Sequence, residues 1–245
     1  MGLTCGALFA GIGGFCHGFD DVGIKTLWAN DIDEEVEQTY KLNFPDVEFL
    51  SDSISDPNFL LKELPEVDIL HGGFPCQSFS QAGLRKGFND PRGQVFIHMI
   101  NKIADMGSRK PKVLLFENSP YLRSGDKGRW FSEVSGRIRR AGYRFSDANA
   151  LEIDSRVSAG SPQSRVRLFM LAVRRDLFPF NPFTACTEKS EKQHLENLLE
   201  RNTVDDEFYF LNDESKYSRM IMQAASDPCD LRILQLRKYV VRVQK

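Results

Sequence analysis

The sequence predicts an α/β protein with a mainly parallel, twisted sheet and helices on both faces. Short apolar runs alternate with segments of helical spacing over the first three quarters of the 245 residues, the pattern of strands joined by crossover helices. Several of these runs also end in residues that carry chemistry rather than in plain turns. Hydrophobic residues make up 41% and charged residues 27%, as in an ordinary globular chain long enough to bury a sizeable core.

Residues 3–9 form the first apolar run, stopped by Ala10-Gly11-Ile12-Gly13-Gly14, and residues 15–22 follow as a helix. Residues 25–29 read as a strand ended by Asn30-Asp31. Residues 34–42 read as a helix with Asp33 as its N-cap. Residues 67–70 form a strand that opens onto His71-Gly72-Gly73, and residues 95–106 have helical spacing. Residues 112–116 are a short apolar strand ended by Glu117-Asn118. Residues 130–141 read as a helix with a basic face, and residues 143–151 and 167–173 as two more strands. Composition changes after about Pro182, so residues 1–183 are expected to form one domain and residues 184–245 a C-terminal extension. From Thr184 to Asp230 eleven acids face five bases, whereas Leu231 to Lys245 carries five bases and no acid.

The net charge of −2 excludes wholesale polybasic attraction to nucleic acid or membrane but allows a local basic face. From Leu122 to Arg175 there are twelve bases and five acids. No apolar run reaches the roughly 18 residues of a membrane span. The apolar N-terminus lacks a basic flank and reads as strand and turn rather than a signal peptide. Cys5, Cys16, Cys76, Cys186 and Cys229 are scattered, without a CxxC pair, so neither a zinc site nor a disulfide framework is expected. A reducing, cytoplasmic location follows.

In parallel sheets, ligands bind beyond the carboxyl ends of the strands, and four of those ends are unusual here. Phe9-Ala10-Gly11-Ile12-Gly13-Gly14 lets a backbone approach a nucleotide-like ligand. The third glycine of a dinucleotide fingerprint would fall on Cys16, so the loop suits an adenosine ligand without pyrophosphate. Taken alone, such a loop is more often a structural turn. Asp31, at the end of the second strand, is placed to accept from ribose hydroxyls. Asp52, with Ser53 beside it, is placed to bind an adenine amine, and a plain turn aspartate fits equally well. Gly73-Phe74-Pro75-Cys76-Gln77 holds a cysteine in a stiff loop at a strand end, the setting of a nucleophile. The other four cysteines read as small buried hydrophobes. Glu117 at an apolar strand end is expected to have a raised pKa and to act as an acid near neutrality. Arg165 and Arg167, two apart, share a face if extended and suit a phosphate and a base carbonyl.

In this order the motifs resemble those of the cytosine-C5 DNA methyltransferase family. Phe-Ala-Gly-Ile-Gly-Gly is similar to its first, cofactor-binding motif and Gly-Phe-Pro-Cys-Gln to its catalytic loop. Glu117-Asn118 matches its next catalytic motif, and Gln163, Arg165 and Arg167 match its Gln-x-Arg-x-Arg motif. The resemblance spans residues 3–183. It implies a Rossmann-like S-adenosylmethionine-dependent fold and a cofactor site of Phe9, Ala10, Gly11, Ile12, Gly13, Gly14, Asp31, Ile32, Asp52, Ser53, Phe74 and Val95. It also implies attack by Cys76 on C6 of a cytosine flipped out of double-stranded DNA. Glu117 would bind the exocyclic amine and N3, Arg167 the base carbonyl, and Arg165 the site or a nearby phosphate. Pro75 and Asn118 would hold nucleophile and acid in place, and no metal is implied.

Ser119 stands where that family usually has valine. Neither the family's full target-recognition region nor its last two motifs is found after Arg167. The resemblance therefore implies one subunit of a split enzyme of a restriction-modification system, or a truncated chain, active with a second polypeptide that supplies those parts. A tRNA cytosine-C5 methyltransferase and a non-catalytic cofactor- or partner-binding remnant are the alternatives. A nicotinamide oxidoreductase is disfavoured by the glycine spacing.

Overall fold

The computed structural model describes residues 2–75, 91–183 and 191–192. The chain divides into two units, Met1–Glu191 and Lys192–Lys245; apart from Lys192, the second lies outside the described residues.

The first unit is built on a mixed sheet of strand order β3-β2-β1-β4-β5-β8-β6, with β7 also paired to β8. Strands β1 (Thr4–Leu8), β2 (Lys25–Asn30), β3 (Glu48–Leu50), β4 (Ile69–Gly72) and β5 (Val113–Asn118) run parallel. Strand β8 (Val166–Arg174) is antiparallel to β5, and β6 (Tyr143–Arg144) and β7 (Ala150–Asp154) are antiparallel to β8. The chain moves outward from β1 to β3, then returns to β4 on the other side of β1. The switch point therefore lies between β1 and β4, and the crevice outside their carboxyl ends is where such sheets bind ligands.

Alternation along the strands feeds two cores. Leu8, Leu70, Leu114, Phe116, Leu168 and Met170 point to one face, where α3 (Pro91–Asp105) brings Phe96, Met99 and Ile103 and α5 (Arg129–Arg140) brings Trp130, Val134 and Ile138. On the other face Ala7, Ala29, Cys16 and Tyr40 form a smaller cluster beneath α1 (Gly14–Asp20) and α2 (Glu34–Asn43). Helix α2 starts where expected: the Asp33 carboxylate accepts from the Glu35 amide at 3.0 Å, satisfying one orphan donor of the first turn. Cys5 and Cys16 are buried, as expected of small hydrophobes; Cys186 and Cys229 lie outside the described residues.

The expected strand over residues 143–151 is in fact β6 and β7 separated by a 3-10 turn, Asp147–Asn149. Ser146 and Asn149 break it by capping each other: the Ser146 amide and hydroxyl both donate to Asn149 Oδ1, at 3.2 and 2.7 Å. The run's apolar residues still reach the sheet, because β6 and β7 pair with separate stretches of β8. Leu115, Leu151, Phe169 and Leu171 share one face of β5, β7 and β8 and are only half-buried, with the Phe169 ring 6.1 Å from that of Phe15 in α1.

Two glycines separate packing from propensity. A Cβ on Gly72 would lie 2.5 Å from the Leu8 carbonyl oxygen, whereas one on Gly18, in α1, would meet nothing within 4 Å. Gly72→Ala is expected to destabilise the chain by at least about 2 kcal/mol, and Gly18→Ala to stabilise it by about 0.5–1 kcal/mol. Denaturant unfolding midpoints of the two variants check this.

Candidate active site

The glycine loop leaves β1 through a strained turn. Phe9, a non-glycine residue, has φ 54°, followed by Gly11 at 53° and Gly13 at 94°. Tertiary bonds hold this conformation. The Ala10 amide donates to the Asn30 carbonyl at 3.0 Å, the Gly11 amide to Asp31 Oδ2 at 2.9 Å, and the Asn43 side chain to the Ile12 carbonyl at 3.1 Å. The Asp31 carboxylate also accepts from the Asp33 amide at 3.2 Å. It thus clamps the loop to the end of β2, and each of its oxygens keeps a lone pair for a ligand hydroxyl. A Cβ at Gly11 or Gly14 would enter open space, so the glycines leave a cradle that side chains would partly fill. Ile12 and Ile32 present exposed apolar surface beside it, at 52% and 66% exposure.

The Asn30 side chain donates to the carbonyls of Leu50 and Asp52, at 2.9 and 2.7 Å. It thereby ties the turn that carries Asp52 and Ser53 to the same edge. The Asp52 side chain is exposed, and Ser53 Oγ accepts from the Ser55 amide. Val95 packs half-buried from α3 against the larger core. The Phe74 ring is also core, 4.8 Å from the Phe96 ring.

The second half of the site gathers three strand ends. Register places Glu117 opposite Phe169, two residues along β8 from Arg167, so both side chains emerge on one face. Arg167 Nε lies 2.7 Å from Glu117 Oε1. Burial raises the Glu117 pKa above the usual carboxylate value, and the charges of Arg167 and Arg165 oppose that shift. Gly73, just past β4, lies against this carboxylate: a Cβ there would come within 3.1 Å of Glu117 Oε2. Asn118 is buried and does structural work. Its amide donates to the Phe74 carbonyl at 3.1 Å, and its Oδ1 accepts from the Ser119 amide at 2.8 Å. It fastens the loop leaving β4 to the end of β5. Pro75 is the last described residue of that loop; Cys76 lies outside the described residues.

Asp154 was not singled out in the sequence. Its carboxylate accepts from the Arg165 and Arg156 amides, both at 3.0 Å, and from the Ser164 hydroxyl at 2.8 Å, which hold its pKa below the usual value. It orders the turn from which Arg165 and Arg167 emerge. Its sequence signal is an Asp-Ser pair opening a short helix, α6 (Ser155–Ser158). His71 was also missed. Burial pushes its pKa down to about 4, so the ring is neutral, packed by Phe15 and Phe19 at 5.2 and 5.0 Å.

Besides Arg167, five of the twelve bases of the expected basic face are paired internally. Arg123 pairs with Asp147 and Glu152, Arg129 with Asp126, Arg137 and Arg140 with Glu133, and Arg174 with Asp176.

Comparisons with known proteins identify the family. The C-5 cytosine-specific DNA methylase family matches residues 3–233. The type II methyltransferase M1.ScrFI of Lactococcus lactis subsp. cremoris is 36% identical over 82% of this chain and 49% of its own length. The type II methyltransferase M.Bsp6I of Bacillus sp. is 31% identical over 99% of this chain and 74% of its own length. The chain therefore spans about half the length of the first of these relatives. Among solved structures, the Entamoeba histolytica methyltransferase EhMeth superposes with a TM-score of 0.67 at 20% identity, over 86% of this chain and 66% of that one. The S. pombe Dnmt2 methyltransferase gives 0.59 at 21%, over 86% and 66%. Both share the fold.

The raised pKa of Glu117 has a consequence for stability. The folded chain holds its proton more tightly than the unfolded chain, whose value is about 4.3. Its contribution is therefore full below that value and falls as pH rises through the raised folded one. Glu117→Gln removes this loss. The melting temperature of the variant is expected to gain on the parent as pH rises above about 4, as thermal unfolding at stepped pH would show.

Proposed function

This chain belongs to the C-5 cytosine-specific DNA methylase family, and from that premise we propose that it methylates C5 of cytosine in double-stranded DNA, as the modification enzyme of a restriction-modification system. One observation carries the reading: the Glu117–Arg167 pair sits against Gly73, where β4 opens into the loop that leads to Pro75 and Cys76.

S-adenosylmethionine fits the glycine cradle and supplies the methyl group. The loop Phe9–Gly14 offers a backbone surface without the spacing a pyrophosphate needs. Asp31 is positioned for the ribose hydroxyls, and Ile32 and the Asp52–Ser53 turn border the adenine side. From α3, Val95 backs the same region, and Phe74 contributes its main chain. The target cytosine is flipped out of the duplex to be reached. Cys76, as thiolate, adds to C6 of the ring, which gives C5 the electron density to take the methyl group. Glu117 binds the ring at N3 and the exocyclic amine and stabilises the charge that develops there. A carboxyl whose proton is held above the usual range is suited to donate to N3. Arg167 fixes the Glu117 carboxylate and reaches the base carbonyl, and Arg165 lies within its field. Loss of the C5 proton then expels Cys76.

The half-buried apolar face of Leu115, Leu151, Phe169 and Leu171 supports a second part of the proposal. The part of this face left uncovered is apolar, and a second polypeptide carrying the target-recognition region and the last two motifs would cover it. The division into a catalytic domain, residues 1–183, and an extension, residues 184–245, belongs to the same reading.

The deciding measurement is transfer of labelled methyl from S-adenosylmethionine to duplex DNA and to tRNA. Label in cytosine C5 of DNA, abolished by Cys76→Ala and lowered about 10²–10³-fold by Glu117→Gln, is the expected result. Label in tRNA alone overturns the choice of substrate. Transfer by the purified chain alone overturns the two-chain arrangement. Asp31→Ala is expected to weaken S-adenosylhomocysteine binding by about tenfold or more, read by calorimetry.

A further inference from the structure

A groove of about 710 Å³ lies at the opposite end of the sheet from the Glu117–Arg167 pair. The C-terminal turn of α5, strand β6 and the returning segment 175–183 form its walls. It is a built feature. Arg144 Nε donates to the Phe178 carbonyl at 2.7 Å. The Asn181 side chain donates to the Arg144 and Leu171 carbonyls at 3.1 and 2.9 Å, and the Asn149 side chain to the Phe183 carbonyl at 2.9 Å. The groove therefore exists before any ligand arrives, and its size is that of an ordinary ligand pocket.

Its lining is chemically one-sided. Arg139, Arg144 and Arg175 are its cations, and among the described residues no carboxylate lines it. Arg175 donates to the Arg139 carbonyl at 3.0 Å. The Arg139 guanidinium has no ion pair among the described residues and is exposed, unlike those of Arg137 and Arg140 on the same helix. Phe180, 67% exposed, stands on the rim among these arginines. Guanidinium groups beside an exposed ring match a ligand that alternates anionic groups with flat rings. An added peptide strand is disfavoured, because the Arg144 and Phe183 carbonyls at this edge are already used by Asn181 and Asn149.

We propose that this groove is a second nucleic-acid site, which takes a single-stranded segment by stacking a base on Phe180 and holding the adjoining phosphates with Arg139 and Arg175. The length of β8 from Arg167 to Arg174 puts it about 20 Å from the catalytic pair, so it does not hold the base that reacts. It gives the protein an attachment point on nucleic acid separate from the target duplex. It holds whether or not the catalytic reading does.

The test is fluorescence anisotropy of a labelled ten-nucleotide oligo-dT with the full chain. Phe180→Ala, at an exposed position, and the double variant Arg139→Ala/Arg175→Ala are each expected to weaken binding at least about fivefold. The double variant is also expected to reduce the slope of log affinity against log salt by about 1.4. Arg165→Ala/Arg167→Ala should leave this binding in place while removing methyl transfer. The reverse pattern, oligonucleotide binding lost with Arg165 and Arg167 but untouched by the groove variants, overturns the proposal. So does an absence of oligonucleotide binding, or displacement of the oligonucleotide by an equal concentration of a Glu- and Phe-rich peptide.

Discussion

The described part of the candidate site depends on a close backbone approach between β1 and β4. These parallel neighbours pair from Cys5–Ile69 to Leu8–Gly72, and at their last pair a side chain on Gly72 would strike the Leu8 carbonyl. Two loops of the candidate site begin there, the glycine loop from Leu8 and the segment toward Pro75 from Gly72. The chain reverses its direction of winding at this pair, and beyond the carboxyl ends of such a pair lies the crevice that parallel sheets use for ligands. Widening the β1–β4 spacing would move the glycine loop and the Gly73–Pro75 segment apart together.

The second half of the site depends on an antiparallel register rather than a parallel one. Because β8 runs back along β5, Arg167 at its start meets Glu117 near the end of β5. A slip of one residue would send Arg167 to the opposite face, into the core of Met170 and Leu168. Three polar residues guard that arrangement without belonging to the chemistry. Asn118 ties the loop after β4 to the end of β5, Asp154 orders the turn before β8, and Asn30 draws the β3 turn onto the edge of β2. Each spends its hydrogen bonds on main-chain groups or neighbouring hydroxyls, which leaves Glu117, Arg167 and Asp31 as the groups with capacity facing the crevice.

The arginines show how tertiary placement sorts like residues. A run that counts as one basic stretch along the chain is divided by α5 and β8 between the two ends of the sheet. Some are spent internally: Arg123 on Asp147 and Glu152, Arg174 on Asp176 and the carbonyls of Ser108 and Lys110. Among those that β8 and α5 carry to the two ends are Arg165 and Arg167 at one and Arg139, Arg144 and Arg175 at the other. The length of β8 keeps these two groups apart.

Apolar periodicity and punctuation determined much of this protein locally. Strands β1, β2, β5 and β8 and helices α2, α3 and α5 are readable because an apolar face of fixed period has one way to be buried, and the Asp33 cap is readable because its bond spans two residues. The reactive residue types at the strand ends are readable because a parallel sheet delivers its carboxyl ends to one edge. Other features depend on residues far apart in sequence. The break between β6 and β7 comes from a Ser146–Asn149 cap within an otherwise strand-like run. The core position of the Phe74 ring, the contact of Gly73 with Glu117 and the role of Asp154 all require partners brought by other strands. The same holds for the pKa of Glu117: its sequence position suggests burial, but the balance between desolvation and the opposing arginine charges exists only once β8 lies beside β5. Local periodicity is a property of one segment and survives in the sequence, whereas register, charge pairing and the division of the arginines are relations between segments, which only the folded sheet brings within bonding distance.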